Sequence, residues 1–237
     1  MSKEIKTDLI DSMFKAGAHF GYSKTRRHPS VSSYIFATKN KVDVIDLEKT
    51  DSMLAATKEF VKNLAKDGKK ILFVGVKPEA KKAVKEAAIA LNMPYVTERW
   101  IGGTFTNFPE IKKRIAKLED WEEKKAKGEL DVYTKKERLM IGIEVAKLNK
   151  YFSGLVSMKK APDAIFVIDT KKEMIAVVEA QKSGVPVIGL SNSDSSIKGI
   201  DYPIIANDAS SSSISLFVNE IVKAYKEGQM TAPSESK

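Results

Sequence analysis

The 237-residue chain contains no cysteine. That removes disulfide staples, thiolate nucleophiles, iron–sulfur clusters and cysteine-bound zinc. It has two histidines, His19 and His28. They are too few for an all-histidine metal site, and no carboxylate spacing completes one. No apolar run approaches the roughly 20 residues needed to span a bilayer. The first ten residues mix charges of both signs, whereas a secretory leader has a basic start and then an apolar run. These absences predict a cytoplasmic protein without a bound metal.

What is present is a folding composition. Hydrophobic residues make up 43% and charged residues 30%, which argues against disorder. The net charge is +9, from 40 Lys and Arg against 31 Asp and Glu. An excess of this sign attracts polyanions, nucleic acid above all. Its distribution says more than its size. No acidic residue occurs from Ser12 through Val42, and that stretch carries Lys15, Lys24, Arg26, Arg27, Lys39 and Lys41. A solvated loop would look the same, so the run points to a surface without proving one.

The chain reads as alternating helix and strand. A short first helix, capped by Thr7 or Asp8, ends at Gly17. A loop rich in Ser, Lys and Arg follows. Tyr34-Ile35-Phe36 and Val42 to Ile45 read as strands joined by a turn over Thr38 to Lys41. A helix is expected from Thr50 to Lys66, with Thr50 as its cap. Ile71-Leu72-Phe73-Val74 is an unbroken apolar run, as in a strand buried on both faces. Pro78 suits a first helical turn, and that helix runs to Leu91. Pro94 to Val96, Ala164 to Ile168, Val187 to Leu190 and Ile204-Ile205 read as further strands. Helices are expected from Lys171 to Lys182 and from Asn207 or Asp208 to the region of Gly228. This order predicts a three-layer α/β domain around a parallel sheet.

Residues 109–152 break the rhythm. Ile111, Ile115 and Leu118 recur at helical spacing, as do Ile141, Val145, Leu148 and Phe152. Both sets match a narrow seam between two helices. Thr134 and Glu137 form a capping-box pair that starts the second helix. We expect an inserted antiparallel helical hairpin projecting from the body. The expected division is 1–108 with 153–228 for the α/β domain, 109–152 for the hairpin, and a disordered tail at 229–237. Between Glu110 and Lys150 there are 12 basic and nine acidic residues, a near balance that solvated helix faces explain.

Parallel α/β sheets often carry enzymes, so catalytic signatures bear on the class. Gly75-Val76-Lys77-Pro78 follows the first buried strand, with one glycine where a dinucleotide fingerprint needs three. No phosphate-loop motif and no nucleophile elbow occurs. Gly102-Gly103 lacks a lysine and hydroxyl pair at phosphate-loop spacing and reads as a tight turn. Asp169 ends a buried strand, a catalytic position in many such enzymes, but Asp43, Asp46, Asp194 and Asp201 show no telling partner. No catalytic residue and no cofactor are expected. A nucleotide-binding α/β enzyme is the alternative, and a coiled-coil interaction module without RNA is a second.

Several segments, in order, resemble one family. Lys15-Ala16-Gly17-Ala18-His19-Phe20-Gly21-Tyr22 resembles the K-A-G-x-H-F-G-H signature of small-subunit ribosomal protein S-two. Arg26-Arg27-His28-Pro29 resembles its basic continuation. Tyr34-Ile35-Phe36, and Asn40-Lys41-Val42 through Thr50, resemble its P-F-I-F and N-K-V-x-I-I-D-L-x-K-T stretches. Leu72 to Lys77 resembles L-F-V-G-T-K. Arg99-Trp100-Ile101-Gly102-Gly103-Thr104-Phe105-Thr106-Asn107 resembles R-W-L-G-G-x-L-T-N, and Pro162 to Asp169 resembles P-D-A-L-F-V-I-D. Tyr22 stands where many members have a second histidine, and Arg27 where an aromatic is usual. A guanidinium can also stack on a base.

The resemblance implies a flavodoxin-like three-layer α/β/α domain with an inserted coiled-coil helical hairpin. It implies a structural protein, not an enzyme, placed at the head–body junction of the small ribosomal subunit and joining late in assembly. The implied partners are small-subunit rRNA and neighbouring ribosomal proteins, including the messenger-binding ribosomal protein S-one. The residues expected on the RNA are Lys24, Arg26, Arg27, His28, Lys39, Lys41, Arg99, Gly102, Gly103, Asn107, Lys112, Lys113 and Arg114.

Overall fold

The computed structural model describes residues 2–231. In chain order its main elements are α1 (Ser2–Lys15), β1 (Phe20–Ser23), β2 (Ile35–Lys39), β3 (Val42–Ile45), α2 (Leu47–Lys66), β4 (Ile71–Val74), α3 (Pro78–Leu91) and β5 (Tyr95–Val96). There follow α4 (Phe108–Ala126), α5 (Lys135–Phe152), β6 (Ala164–Ile168), α6 (Met174–Lys182), β7 (Val187–Ser191), β8 (Tyr202–Ile205) and α7 (Ser211–Met230).

Five strands form a parallel sheet in the order β5-β4-β6-β7-β8. Numbered within that sheet, the order is 2-1-3-4-5, the flavodoxin-like arrangement. The apolar runs explain why it sits inside. Alternate residues of a strand face opposite sides, and β4 is buried on both. Ile71 and Phe73 join a core with Leu54, Val61, Val84, Phe217 and Ile221 of α2, α3 and α7. Leu72 and Val74 join the other core with Val177 of α6 and with Ile111, Leu118, Leu148 and Phe152 of α4 and α5. Helices thus cover both faces, and the architecture is three-layer α/β/α.

The second core adds a detail to the expected insertion. The roots of α4 and α5 do not stand clear of the body: their seam is continuous with Ile165 and Val167 of the sheet. Polar contacts also cross between the two helices, from Lys117 to Glu144 and from Asn149 to Glu122. The capping box on Thr134 and Glu137 is present.

Other differences have local causes. α1 begins at Ser2, so Thr7 and Asp8 lie within it rather than at its start. α2 begins at Leu47, because Asp46 accepts hydrogen bonds from the N–H groups of Glu48 and Lys49. Thr50, the expected cap, instead donates its hydroxyl to the Ile205 carbonyl at 2.6 Å. α6 begins at Met174, after Asp169 has turned the chain with φ of +63°. α7 begins at Ser211, because Asn207 and Asp208 are bound elsewhere, and it continues to Met230. Residues 229 and 230 therefore belong to a helix, and the remainder of the expected tail, 232–237, lies outside the described residues.

Gly154 shows how tightly the α5 root meets the sheet edge. A Cβ there would lie 2.2 Å from the Tyr95 carbonyl oxygen. Backbone cannot yield as a flexible side chain can. Gly154→Ala should therefore lower stability by about 1–3 kcal/mol, the usual cost of overpacking, measured by denaturant unfolding.

Candidate functional site

The long acid-free stretch is not a plain loop. After the end of α1 it forms β1, which pairs antiparallel with β3. β3 in turn pairs with β2, giving a small sheet in the order β1-β3-β2. The connection from β2 to β3 is tight, with Asn40 and Lys41 both at positive φ, +50° and +64°. That is the primed-turn conformation, which matches strand twist and favours Asn-Gly. Lysine replaces the favoured glycine, so an exposed charge is kept at a conformational cost.

This arm is laid over the carboxyl end of the parallel sheet and pinned there. Ser193, just beyond β7, accepts from the Tyr22 N–H through its hydroxyl (2.8 Å) and from the His28 N–H through its carbonyl (2.9 Å). Asn207 donates its backbone N–H to the Ala18 carbonyl at 2.9 Å and its side-chain amide to the Gly17 carbonyl at 3.0 Å. Val31 and Ile45 form a small apolar core with Ile205.

Beneath the arm is the topological switch point, between β4 and β6, where such sheets bind ligands. Here the chain's own side chains close it. Lys77 Nζ lies 2.8 Å from Asp169 and 2.9 Å from Asp208. Burial works against the ammonium, but Asp208 and Asp169 outweigh it and raise the Lys77 pKa above its ordinary value. Asn192 donates to the other Asp208 oxygen at 3.1 Å, and its own carbonyl oxygen accepts from the Ser193 N–H at 2.7 Å. One chain of contacts therefore runs from the crevice to the arm.

A second ion pair holds the arm's shape. Asp43 of β3 is fully buried and is bound by Arg27, whose Nε lies 2.7 Å from Oδ2. Thr38 donates to the same carboxylate at 2.9 Å. The Arg27 hydrogen bond outweighs burial and holds the Asp43 carboxyl below its ordinary pKa. Arg27 is thus tied within the protein by its guanidinium edge, its side chain 21% exposed. Lys24, Arg26, Lys39 and Lys41 are exposed and make no ion pair among the described residues. Lys24 and Lys41 are neighbours, joined by the Lys24 N–H to Lys41 carbonyl hydrogen bond at 2.9 Å. His28 is partly buried, with Nδ1 bound to Ser30.

The other expected residues lie elsewhere. Arg99, Gly102, Gly103 and Asn107 follow β5, the far edge of the sheet from β8. They follow an edge strand, whereas the arm is pinned to the segments after β7 and β8. The Gly103 N–H points inward and donates to the buried Glu179 carboxylate at 2.8 Å, as does the Phe105 N–H at 3.2 Å. The amide of Gly103 is therefore spent on Glu179 and not available to a phosphate. Gly102, Arg99 and Asn107 are exposed. Lys112, Lys113 and Arg114 are exposed on α4, with Lys113 paired to Glu110 at 2.6 Å.

Sequence reasoning left Asp43 without a partner and did not single out Glu179, both of which act on these segments. An alternating strand around Asp43 was the only available signal, and Glu179 gave none.

A flavodoxin-like scaffold with its own ion cluster at the switch point and a basic arm above it defines a class: an α/β protein carrying a cationic arm. The comparisons place it further. The family model described as Ribosomal protein S2 matches residues 13–228. The chain is 42% identical over 226 residues to "Small ribosomal subunit protein uS2" of Wolinella succinogenes, covering 95% of this chain and 83% of that one. It is 43% identical over 220 residues to the protein of the same name from Helicobacter hepaticus, covering 93% and 83%. A third, from Parabacteroides distasonis, is 41% identical over 226 residues, covering 95% and 81%. The chain belongs to the ribosomal protein S2 family, the S-two family its motifs resemble, and its role is structural rather than enzymatic.

Asp43→Asn should loosen the arm and cost about 1–3 kcal/mol, less than for a fully buried pair because Arg27 is partly solvated. The same pair sets a pH dependence. Asp43 has its pKa lowered by folding, so its contribution is present above the unfolded value, about 4, and is lost as pH falls through the folded value. Amide exchange in β2 and β3 should accelerate in that acid range ahead of exchange in β4 and β6.

Proposed function

We propose that the chain binds small-subunit rRNA through the arm, and that phosphates are contacted chiefly by Lys24, Arg26, Lys39 and Lys41. One observation carries this reading. These four exposed cations, without an ion pair among the described residues, sit on an arm that buried ion pairs hold in one shape. Lys113, Lys124 and Lys127 of the hairpin, by contrast, each have a carboxylate beside them. Arg27 and Gly103 act as positioning groups, Arg27 through Asp43 and Gly103 through Glu179. Arg99, Gly102, Asn107, Lys112 and Arg114 form a second edge, from β5 into α4, that extends the footprint. His28 lies where the arm meets the β7–β8 segment.

The domain division at 109–152 belongs to the same reading, with the outer parts of α4 and α5 forming a projecting coiled-coil hairpin that reaches neighbouring ribosomal proteins. The family resemblance supports a position in the cytoplasm within the ribosome, at the head–body junction, with late joining and contact with the messenger-binding protein S-one. A nucleotide-binding enzyme is disfavoured by the filled crevice at the switch point.

The test is sedimentation of cell lysate together with binding of small-subunit rRNA across a salt series. The chain should co-migrate with small subunits and dissociate at high salt. Replacing Lys24, Arg26, Lys39 or Lys41 by Ala should reduce the log–log salt slope by roughly 0.7–0.9 for each phosphate that the side chain neutralises. An unchanged slope in the quadruple variant would remove the arm from the interface.

A further inference from the structure

Beside the arm lies a cleft that the contacts proposed above do not use. Its walls are α6 and the segment joining β7 to β8, and His28 of the arm borders it. The cavity is about 280 Å³. That is at the small end for ligand pockets, suited to one ring system with its sugar rather than a dinucleotide. Its floor is apolar, and Met174 and Val178 remain 61% and 39% exposed there. The rim is polar. Lys171 Nζ lies 2.7 Å from Asp194, and Lys198 makes no ion pair among the described residues. His28 uses Nδ1 on Ser30, and no partner for its other ring nitrogen is found among the described residues.

These features complement an unstacked nucleobase. A base has two apolar faces, a hydrogen-bonding edge and an attached phosphate, and apolar side chains as well as aromatic ones can pack on its faces. The cleft supplies an apolar floor, a carboxylate and an imidazole at the edge, and an ammonium at the mouth. An inserted protein side chain would use the floor and leave the rim without a role.

We propose that this cleft takes one unstacked nucleotide of a single-stranded RNA segment, its base on Met174 and Val178 and its phosphate toward Lys198. The proposal rests on the RNA reading above, since His28 borders both the arm and the cleft.

The experiment uses the full chain and fluorescence anisotropy with two probes, a short single-stranded oligouridine or oligoadenosine and a duplex RNA of equal length. The variants are M174A/V178A and K198A, with K24A/R26A as comparator. Circular dichroism checks folding, and K198A changes only an exposed side chain. M174A/V178A should weaken the single strand by roughly tenfold, as removal of one base contact does, and leave the duplex unchanged. K198A should weaken the single strand more than the duplex, and K24A/R26A should weaken both. If K24A/R26A weakens both probes while the cleft variants weaken neither, or weaken both equally, the cleft proposal fails and the RNA reading stands. If K24A/R26A also changes nothing, the RNA reading itself fails. Binding of free uridine or adenosine monophosphate as tight as that of the strand would overturn the proposal in favour of a small-molecule site. Loss of ribosome incorporation in M174A/V178A with RNA affinity intact would overturn it in favour of a protein occupant.

Discussion

The buried ammonium of Lys77 between Asp169 and Asp208 is the contact on which the functional end of this protein depends. It ties together the segments that follow β4, β6 and β8 at the carboxyl end of the sheet. A charge taken out of water is tolerable only with partners this close, and breaking such a group by removing one member typically costs about 3–5 kcal/mol. The same contact closes the crevice where this sheet topology ordinarily receives a ligand. Here Asn192 and Ser193 carry the network outward, and the arm is built on them.

The arm gains from this support what a free basic loop would lack. Cations on a disordered segment must lose conformational entropy on meeting a polyanion, and that loss weakens binding. In this protein the ordering occurs on folding. Arg27 and Asp43, with Thr38, tie the segment after β1 to β2 and β3, and the left-handed Asn40-Lys41 turn holds a lysine at the tip. The division of labour among the cations follows from burial. Arg27 is drawn inward by a buried carboxylate, while Lys24, Arg26, Lys39 and Lys41 remain in water.

Much of this was legible along the chain, and the reasons are local. A four-residue apolar run such as Ile71 to Val74 has no place but a sheet buried on both faces. Pro78, Asp46 and the Thr134–Glu137 pair mark helix starts through their own backbone chemistry, although Thr50 was mistaken for Asp46 because both are good caps. β1 was missed because Phe20 to Ser23 is only half covered and pairs with β3 through an irregular register. The inward turn of Gly103 was missed because its partner, Glu179, is 76 residues away.

By itself the sequence determined the layered α/β class, the strand and helix order and the family, since these follow from hydrophobic period, capping residues and motifs read in order. It also determined that the Lys24 to Lys41 segment carries positive charge with no acidic residue inside it. Only the tertiary structure decided which of those charges are free, because ion pairing depends on distance in space. Arg27 found Asp43 and Lys77 found Asp208, 131 residues further on, whereas Lys24 and Lys41 found each other and remained exposed to solvent.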